Sequence, residues 1–176
     1  MELEGRKVII LVEDMFNVFE FWYPFYRLKE AGAEVTVVGS GRTDTFTGKP
    51  ATEVRADLAA DRVNADDYDG LVIPGGYAPD QMRRYPAMVN LVRSMVEAGK
   101  PVAAICHAGW MLCSADVLKG RRVTSFFAIR DDMVHAGAQW VDEKVVVDDN
   151  LITSRTPDDL PAFMREMIRA VGKMRV

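Results

Sequence analysis

The sequence contains few of the residues that bind metals or form disulfide frameworks. It has two cysteines and two histidines among 176 residues, with no CxxC pair and no HxxxH spacing. A standard zinc site takes about four ligands, mostly from these residue types, so a site here would have to recruit carboxylates. We therefore expect no structural metal, and a chain of this length buries enough surface to fold without one.

An excess of basic charge and long apolar runs are also missing. The 22 basic and 26 acidic residues leave a formal net charge of -4, which argues against a nucleic-acid-binding surface. The first apolar run, residues 8–12, is too short for a signal peptide or a membrane span. These absences predict a cytoplasmic protein that binds neither a membrane nor a nucleic-acid scaffold.

The composition that is present is typical of a globular protein. Hydrophobic residues form 49% of the chain and charged residues 27%, which are ordinary values for a folded domain. No repeat, low-complexity tract or linker interrupts the sequence, so one domain is expected over residues 1–176. Four aliphatic runs predict parallel strands buried on both faces of a sheet: residues 8–12, 34–38, 70–73 and 101–105.

Stretches with helical spacing alternate with these strands. Residues 20–31 and 79–98 are each closed by a glycine, Gly32 and Gly99. The order β-α-β-insert-β-α-β-α predicts an α/β fold with a doubly wound, mostly parallel sheet. The other predicted elements are a small hairpin within 43–55, a short helix ending at Leu118, a strand near 123–125, a helix over 129–136, strands near 144–147 and 151–154, and a final helix from Pro157.

The most informative segment runs from an apolar strand directly into Cys106 and His107. A nucleophile on such a strand-to-helix turn lies beyond the C-terminal edge of the sheet, where open α/β folds bind ligands. Ala104 and Ala108 are small, as the tight turn requires. The helix N-terminus and the histidine are expected to lower the pKa of the thiol and favour the thiolate. Cys106 is the predicted nucleophile, and an ordinary buried cysteine is the alternative.

A second strand is followed by two glycines, Gly75 and Gly76, and then by Tyr77 and a helix. Glycines let backbone amides approach a ligand closely and point at developing negative charge. The amide of Gly76 is therefore a candidate oxyanion donor, and a plain glycine turn is the alternative. Two other reactive side chains are expected to have ordinary roles, Cys113 in core packing and His135 on a helix surface.

Four segments, PGGYAPD, AICHAGW, TSFFAIRDDMVHAGAQWVD and NLITSRTPDDLPAFMREMI, resemble the PfpI/ThiJ family. That family belongs to the class I glutamine amidotransferase-like superfamily and includes intracellular proteases, protein deglycases and glutathione-independent glyoxalases. The resemblance covers nearly the whole chain. It implies a flavodoxin-like sheet between helices, a catalytic Cys-His pair, no cofactor, and an active site completed at the interface of a homo-oligomer that is at least a dimer.

The resemblance also implies roles for individual residues. The nucleophile falls on Cys106 and its paired imidazole on His107, while the oxyanion amides fall on Gly76 and on His107 itself. The family's acidic partner of the thiol corresponds to Glu20, because Glu20-Phe-Trp-Tyr-Pro24 has its spacing. A protonated Glu20 can donate to sulfur, which requires burial to raise its pKa. An acid at a helix N-terminus is the alternative.

The rim of the site is less well defined by the sequence. By resemblance Asp80 orients the histidine of a neighbouring subunit and completes a Cys-His-Asp triad, although it is equally an acid in the first turn of a helix. Gly75 and Tyr77 belong to the expected pocket. Trp22 and Trp110 are candidate pocket walls, or else packing residues.

Three functions remain open on these grounds. The first is repair of reactive carbonyls, as a protein or nucleotide deglycase or a glyoxalase, acting on a small dicarbonyl or a glycated side chain. The second is hydrolysis of a peptide substrate by the same thiolate. The third is a non-catalytic stress protein whose thiol senses oxidation.

Overall fold

The computed structural model describes residues 1–174, and a central sheet organises them. In chain order the strands are β1 (Lys7–Leu11), β2 (Glu34–Gly39), β3 (Thr45–Thr47), β4 (Glu53–Arg55), β5 (Leu58–Ala59), β6 (Gly70–Ile73), β7 (Val102–Ile105), β8 (Arg122–Val123), β9 (Gln139–Trp140), β10 (Val145–Asp148) and β11 (Leu151–Ser154). The helices are α1 (Val18–Glu30), α2 (Ala78–Met82), α3 (Pro86–Glu97), α4 (Gly109–Ser114), α5 (Arg130–His135) and α6 (Leu160–Gly172).

Seven strands form the main sheet in the order β10-β11-β7-β6-β1-β2-β5. Every neighbouring pair is parallel except β10 and β11, which are antiparallel. The chain first moves from β1 to β2 and then returns to the other side of β1 with β6. This reversal creates the crevice at the C-terminal ends of β1, β6 and β7 where open α/β folds bind ligands.

The burial of the strands explains their aliphatic composition. All residues of β6 and β7 are buried, and only Lys7 of β1 is exposed, because helices cover both faces of the sheet. Helices α1 and α6 contact each other and the sheet, while α3, α4 and α5 form a second group of contacts. The predicted α/β class, with a mostly parallel flavodoxin-like sheet between helices, is confirmed.

Several predicted boundaries are wrong for local reasons. The single helix expected over residues 79–98 is divided into α2 and α3, because Tyr85 is extended (φ -108°, ψ 107°). A residue before proline disfavours the helical region, and Pro86 then begins α3. The helix expected to reach Leu118 ends at Ser114, and Asp116 turns the chain with φ of 57°.

Other differences concern short elements. The strand expected near 123–125 is only Arg122–Val123, and a 3-10 turn at Pro157–Asp159 precedes α6. The two-residue strands β5 and β9 were not predicted, since two residues carry no readable periodicity. The hairpin expected within 43–55 is present as antiparallel β3 and β4. It lies against the segment after β1, where Met15 donates to Thr47 O at 2.7 Å and Lys49 donates to Phe16 O at 2.9 Å.

None of the helices within residues 1–174 is long and apolar enough to cross a membrane.

Candidate active site

Cys106 lies on a strained turn between β7 and α4. Its φ is 61°, a left-handed conformation that side chains other than glycine seldom adopt. A 3-10 turn over Cys106–Ala108 follows the strand directly, and Ala104 and Ala108 are both buried. Backbone strain of this kind is found at functional sites. Here the turn places the Cys106 Sγ atom at the edge of the sheet.

The imidazole of His107 contacts the thiol directly. Its Nδ1 atom lies 3.2 Å from Cys106 Sγ. Burial lowers the pKa of His107, which favours a neutral ring at neutral pH. In the tautomer protonated at Nε2, Nδ1 is an acceptor for the thiol proton.

Aromatic side chains hold this ring. Phe126 stacks on it with a centroid distance of 4.8 Å, Trp110 meets it edge-on at 5.2 Å, and Tyr77 lies 6.1 Å away. His107 takes part in none of the ion pairs formed within residues 1–174. Within the chain, its orientation is therefore set by aromatic packing and not by a carboxylate.

Glu20 extends from the first turn of α1 into the protein interior. Asn17 caps the helix, since its Oδ1 accepts from the amides of Phe19 at 3.0 Å and Glu20 at 3.3 Å. The Glu20 side chain is fully buried, and its Oε2 accepts from the amide of Gly75 at 2.8 Å. A first-turn acid favoured only by the helix dipole would lie in solvent, so the burial needs another explanation.

The protonation of Glu20 follows from that burial. Desolvation raises its pKa from 4.5 to about 7, against the opposing effects of the Gly75 amide and the Cys106 side chain. Among residues 1–174, Glu20 Oε1 has no hydrogen-bond partner, so a carboxyl that is partly protonated at neutral pH borders the thiol with one oxygen unpaired.

Gly75 and Gly76 are needed for different reasons. A Cβ atom on Gly75 would lie 2.5 Å from Glu20 Oε2 and 2.8 Å from Cys106 Cβ. Gly76 has φ of 75°, and its amide approaches the Cys106 sulfur together with the amide of His107. Both amides favour the thiolate, so two backbone donors converge where an oxyanion would form.

The expected lowering of the Cys106 pKa is not found. Burial raises the pKa of the thiol to about 12, and repulsion by the Glu20 carboxylate adds to the increase. The amides of His107 and Gly76 act in the opposite direction but are outweighed. The resting thiol therefore carries its proton at neutral pH, and reaction requires a base, for which His107 Nδ1 is in place.

A cavity of about 500 Å³ opens over the thiol. Its walls combine the catalytic candidates with residues from the hairpin and from the loop before α6. The lining residues are Met15, Asn17, Phe19, Glu20, Lys49, Pro50, Gly76, Tyr77, Cys106, His107, Phe126, Thr156 and Pro157.

The two tryptophans do not line this cavity. Trp22 lies on the outer face of α1 with Tyr23 and Tyr26, because two residues beyond Glu20 the helix has turned by about 200°. The expectation that Trp22 walls the pocket is corrected by this geometry. Trp110 packs edge-on against the His107 ring, and its Nε1 donates to Asp132 Oδ2 at 2.8 Å.

The structure does not bring Asp80 to His107 within one chain. Asp80 lies in the first turn of α2, where its half-exposed carboxylate pairs with Arg84 at 2.5 Å. The other two reactive side chains lie elsewhere: Cys113 is partly buried against Met133, and His135 is exposed at the end of α5.

Residue-by-residue sequence reasoning gave no role to Phe126 or Lys49. Phe126 follows β8, and Lys49 lies between β3 and β4, so both reach the site only through tertiary folding. Neither segment has a local signal for a site.

The fold and site define a flavodoxin-like α/β protein with a Cys-His pair on a strained strand-to-helix turn. The sequence profile described as the DJ-1/PfpI family matches residues 6–170, and the chain belongs to that family.

Similar proteins carry enzyme names. "Deglycase PfpI" of Pyrococcus furiosus is 47% identical over 93% of this chain and 98% of its own length. "Putative cysteine protease YraA" of Bacillus subtilis is 41% identical over 93% of this chain and 97% of its own. These names support a deglycase or protease role within the family.

A solved structure from Anabaena variabilis, a protein with DJ-1/ThiJ/PfpI-like and ferritin-like domains, superposes with a TM-score of 0.93. It is 44% identical, and the match covers 96% of this chain but 48% of that protein. The present chain thus spans about half the length of this two-domain structure.

Proposed function

We propose that this protein repairs reactive carbonyls, converting a 2-oxoaldehyde such as methylglyoxal, free or as its adduct on Lys, Arg or Cys, to a hydroxy acid. The observation that carries the proposal is the buried Glu20 carboxyl beside Cys106. It borders the cavity, has one unpaired oxygen, and has a pKa of about 7. Such a group can both donate and accept a proton at neutral pH.

The first step is addition of the thiol to the aldehyde carbon. As the S–C bond forms, the thiol proton passes to His107 Nδ1, which lies 3.2 Å from sulfur in the resting site. The amides of Gly76 and His107 stabilise the negative charge on the former aldehyde oxygen. Return of the proton to this oxygen gives a hemithioacetal.

The second stage moves hydrogen between two carbons of the bound substrate. His107 removes the proton from the former aldehyde carbon while Glu20 protonates the neighbouring ketone oxygen, which gives an enediol. His107 then returns its proton to the second carbon as the Glu20 carboxylate takes the hydroxyl proton of the first carbon, which gives a lactoyl thioester and restores both side chains. Water then cleaves the thioester and restores the thiol. The sum is methylglyoxal plus water giving lactic acid, with one carbon oxidised and its neighbour reduced, so no cofactor is needed.

The size of the cavity favours a small substrate. A volume of about 500 Å³ accommodates a dicarbonyl or the end of a modified side chain. Both cysteines are free, which suits the reducing cytoplasm that we propose as the location.

The experiment is an assay for lactate from methylglyoxal without added glutathione. Wild type should form lactate, Cys106→Ser should form none above background, and Cys113→Ser is the matched control that should remain active. Glu20→Gln should lose about 100-fold or more in kcat, as expected for removal of a general acid–base. Lactate formation by Cys106→Ser at the wild-type rate would overturn the proposal.

Peptide hydrolysis is the second candidate, favoured by the half-exposed carboxylate of Asp80, which a partner subunit could approach. We propose that the chain forms at least a dimer and that Asp80 there orients His107 of the partner subunit. In that case Asp80→Asn should depress cleavage of an unstructured fluorogenic peptide far more than dicarbonyl turnover. Sedimentation would give the oligomeric state, and a monomer that cleaves the peptide would contradict this reading.

A further inference from the structure

One cation in the cavity has no role in the proposed chemistry. Lys49 lines the cavity from the turn between β3 and β4. Its backbone is anchored, because Lys49 N donates to Phe16 O at 2.9 Å and the residue forms a parallel bridge with Asn17. The hairpin backbone thus places the positively charged Lys49 side chain at the cavity.

The ammonium group of Lys49 has no acidic partner among the residues described. Lys49 appears in none of the ion pairs formed within residues 1–174. Its Nζ instead lies 5.3 Å from the centre of the Tyr77 ring, a cation–π contact at a partly exposed site. A cation–π contact at an exposed site stabilises a cation only weakly, so an anion can readily recruit the amine.

The remaining charges in the cavity do not cancel that of Lys49. Glu20 and His107 are the other titratable side chains in the lining apart from the thiol and the Tyr77 phenol. Burial favours the neutral form of both groups, since it raises the pKa of Glu20 and lowers that of His107. With a pKa of about 7, the Glu20 carboxyl is only partly ionised at neutral pH and offsets the charge of Lys49 only in part.

The position of Lys49 suits a group carried a few bonds from the reacting carbon. The Tyr77 ring neighbours both groups: its centre is 5.3 Å from Lys49 Nζ and 6.1 Å from the centre of the His107 ring. Cys106, His107, Tyr77 and Lys49 line the same cavity, so a substrate bonded to Cys106 shares that cavity with the amine.

We propose that Lys49 is a specificity-determining residue that selects 2-oxoaldehydes bearing an anionic group, a phosphate ester or a carboxylate, over neutral ones. The inference rests on the proposed carbonyl repair and names its substrate class. For 3-phosphooxy-2-oxopropanal the balance is the same as for methylglyoxal: the compound and one water give 3-phosphoglycerate, and the phosphate ester stays intact. Lys49 forms no bond to the reacting carbon.

The test compares this phosphate ester with 3-hydroxy-2-oxopropanal, which is identical except for the phosphate. Wild type should show a KM for the phosphorylated compound at least tenfold below that for the neutral one. Lys49→Gln should remove most of this preference through KM with little change in kcat, and Lys49→Arg should keep it. A carboxylate-bearing 2-oxoaldehyde assayed in parallel separates the two kinds of anion.

The matched control is Lys29→Gln, which removes the same charge from a lysine 5.2 Å from the Phe25 ring and outside the cavity. It should leave the preference unchanged. Equal KM values for the two compounds in wild type, or a preference that survives in Lys49→Gln, would overturn the proposal.

A binding measurement separates this inference from the proposed reaction. If wild type forms no lactate from methylglyoxal, carbonyl repair fails, and titration calorimetry of Cys106→Ser with 3-phosphoglycerate and glycerate still tests Lys49. Binding of the phosphorylated acid alone, lost in Lys49→Gln, supports an anion-selecting residue. Equal binding of both acids contradicts it.

Discussion

The amide of Gly75 donates a 2.8 Å hydrogen bond to Oε2 of the buried Glu20 carboxyl. This bond joins the first turn of α1 to the loop after β6, and the same loop packs against Cys106. Because the carboxyl lacks solvent, the Gly75 amide is its only conventional hydrogen-bond donor among residues 1–174. The loop after β6 therefore supports both the Glu20 carboxyl and the Cys106 thiol.

Gly75→Ala should disrupt that support. The added Cβ would lie 2.5 Å from Glu20 Oε2 and 2.8 Å from Ile105 O, so buried atoms must move, at a cost of about 1–3 kcal/mol. We expect a lower urea midpoint and a large loss of lactate formation. Gly172→Ala, whose Cβ would meet nothing closer than 3.7 Å, is the control. Unchanged activity in Gly75→Ala would show that the Glu20 contact is not needed.

Glu20 should make stability depend on pH. Its pKa is raised from 4.5 to about 7 in the native state, so between these values the native state binds more protons than the unfolded state. The free energy of unfolding should then fall as pH rises through this window and level off above it. Relative to Glu20→Gln, wild type should lose about 3 kcal/mol from pH 4.5 to 8.

Urea titrations at several pH values measure this difference. Glu97→Gln, at an exposed position, is the control that should follow wild type. Parallel curves for wild type and Glu20→Gln would mean that Glu20 does not titrate with a raised pKa.

Alkylation of Cys106 should report its raised pKa. With a pKa of about 12, the thiolate fraction, and with it the iodoacetamide rate, should rise about tenfold per pH unit from pH 6 to 10. Glu20→Gln removes the carboxylate that repels the thiolate and should speed alkylation at pH 8. Mass spectrometry resolves Cys106 from Cys113, which serves as internal control. A plateau already at pH 6 would indicate a preformed thiolate.

The left-handed conformation of Cys106 should be visible in stability. At φ of 61° an alanine carries strain that glycine avoids, about 1 kcal/mol. Cys106→Gly should therefore be more stable than Cys106→Ala. In helix α4 the order should reverse, with Cys113→Gly less stable than Cys113→Ala by about 1 kcal/mol. The same order at both positions in urea unfolding would rule out strain at the elbow.

The parts of the site that the sequence predicted are local. Cys106 and His107 are adjacent, and a buried strand precedes them, so their place at the sheet edge follows from topology. Pro86 carried a signal for a helix break, because proline restricts the residue before it, but the expected single helix over residues 79–98 missed it. The sequence pattern of α1 did not show which face turns inward, so Trp22 was expected in the pocket.

The remaining features depend on tertiary packing. Phe126 and Lys49 reach the cavity from segments far from Cys106 in the chain. The pKa of Cys106 could not be predicted from its neighbours in sequence, since the helix N-terminus and His107 suggested a decrease. Burial and Glu20, which comes from another element, produce the increase.

The proposed reaction depends on attack of Cys106 on the carbonyl carbon, with His107 as its base. The most direct measurement is mass spectrometry of enzyme quenched during turnover of methylglyoxal, followed by peptide mapping. If Cys106 is the nucleophile, the peptide containing Cys106 should carry one added methylglyoxal. The Cys113 peptide, and every peptide of Cys106→Ser, should carry none. Lactate formation with Cys106 unmodified at every time point, or with the adduct on Cys113, would contradict it.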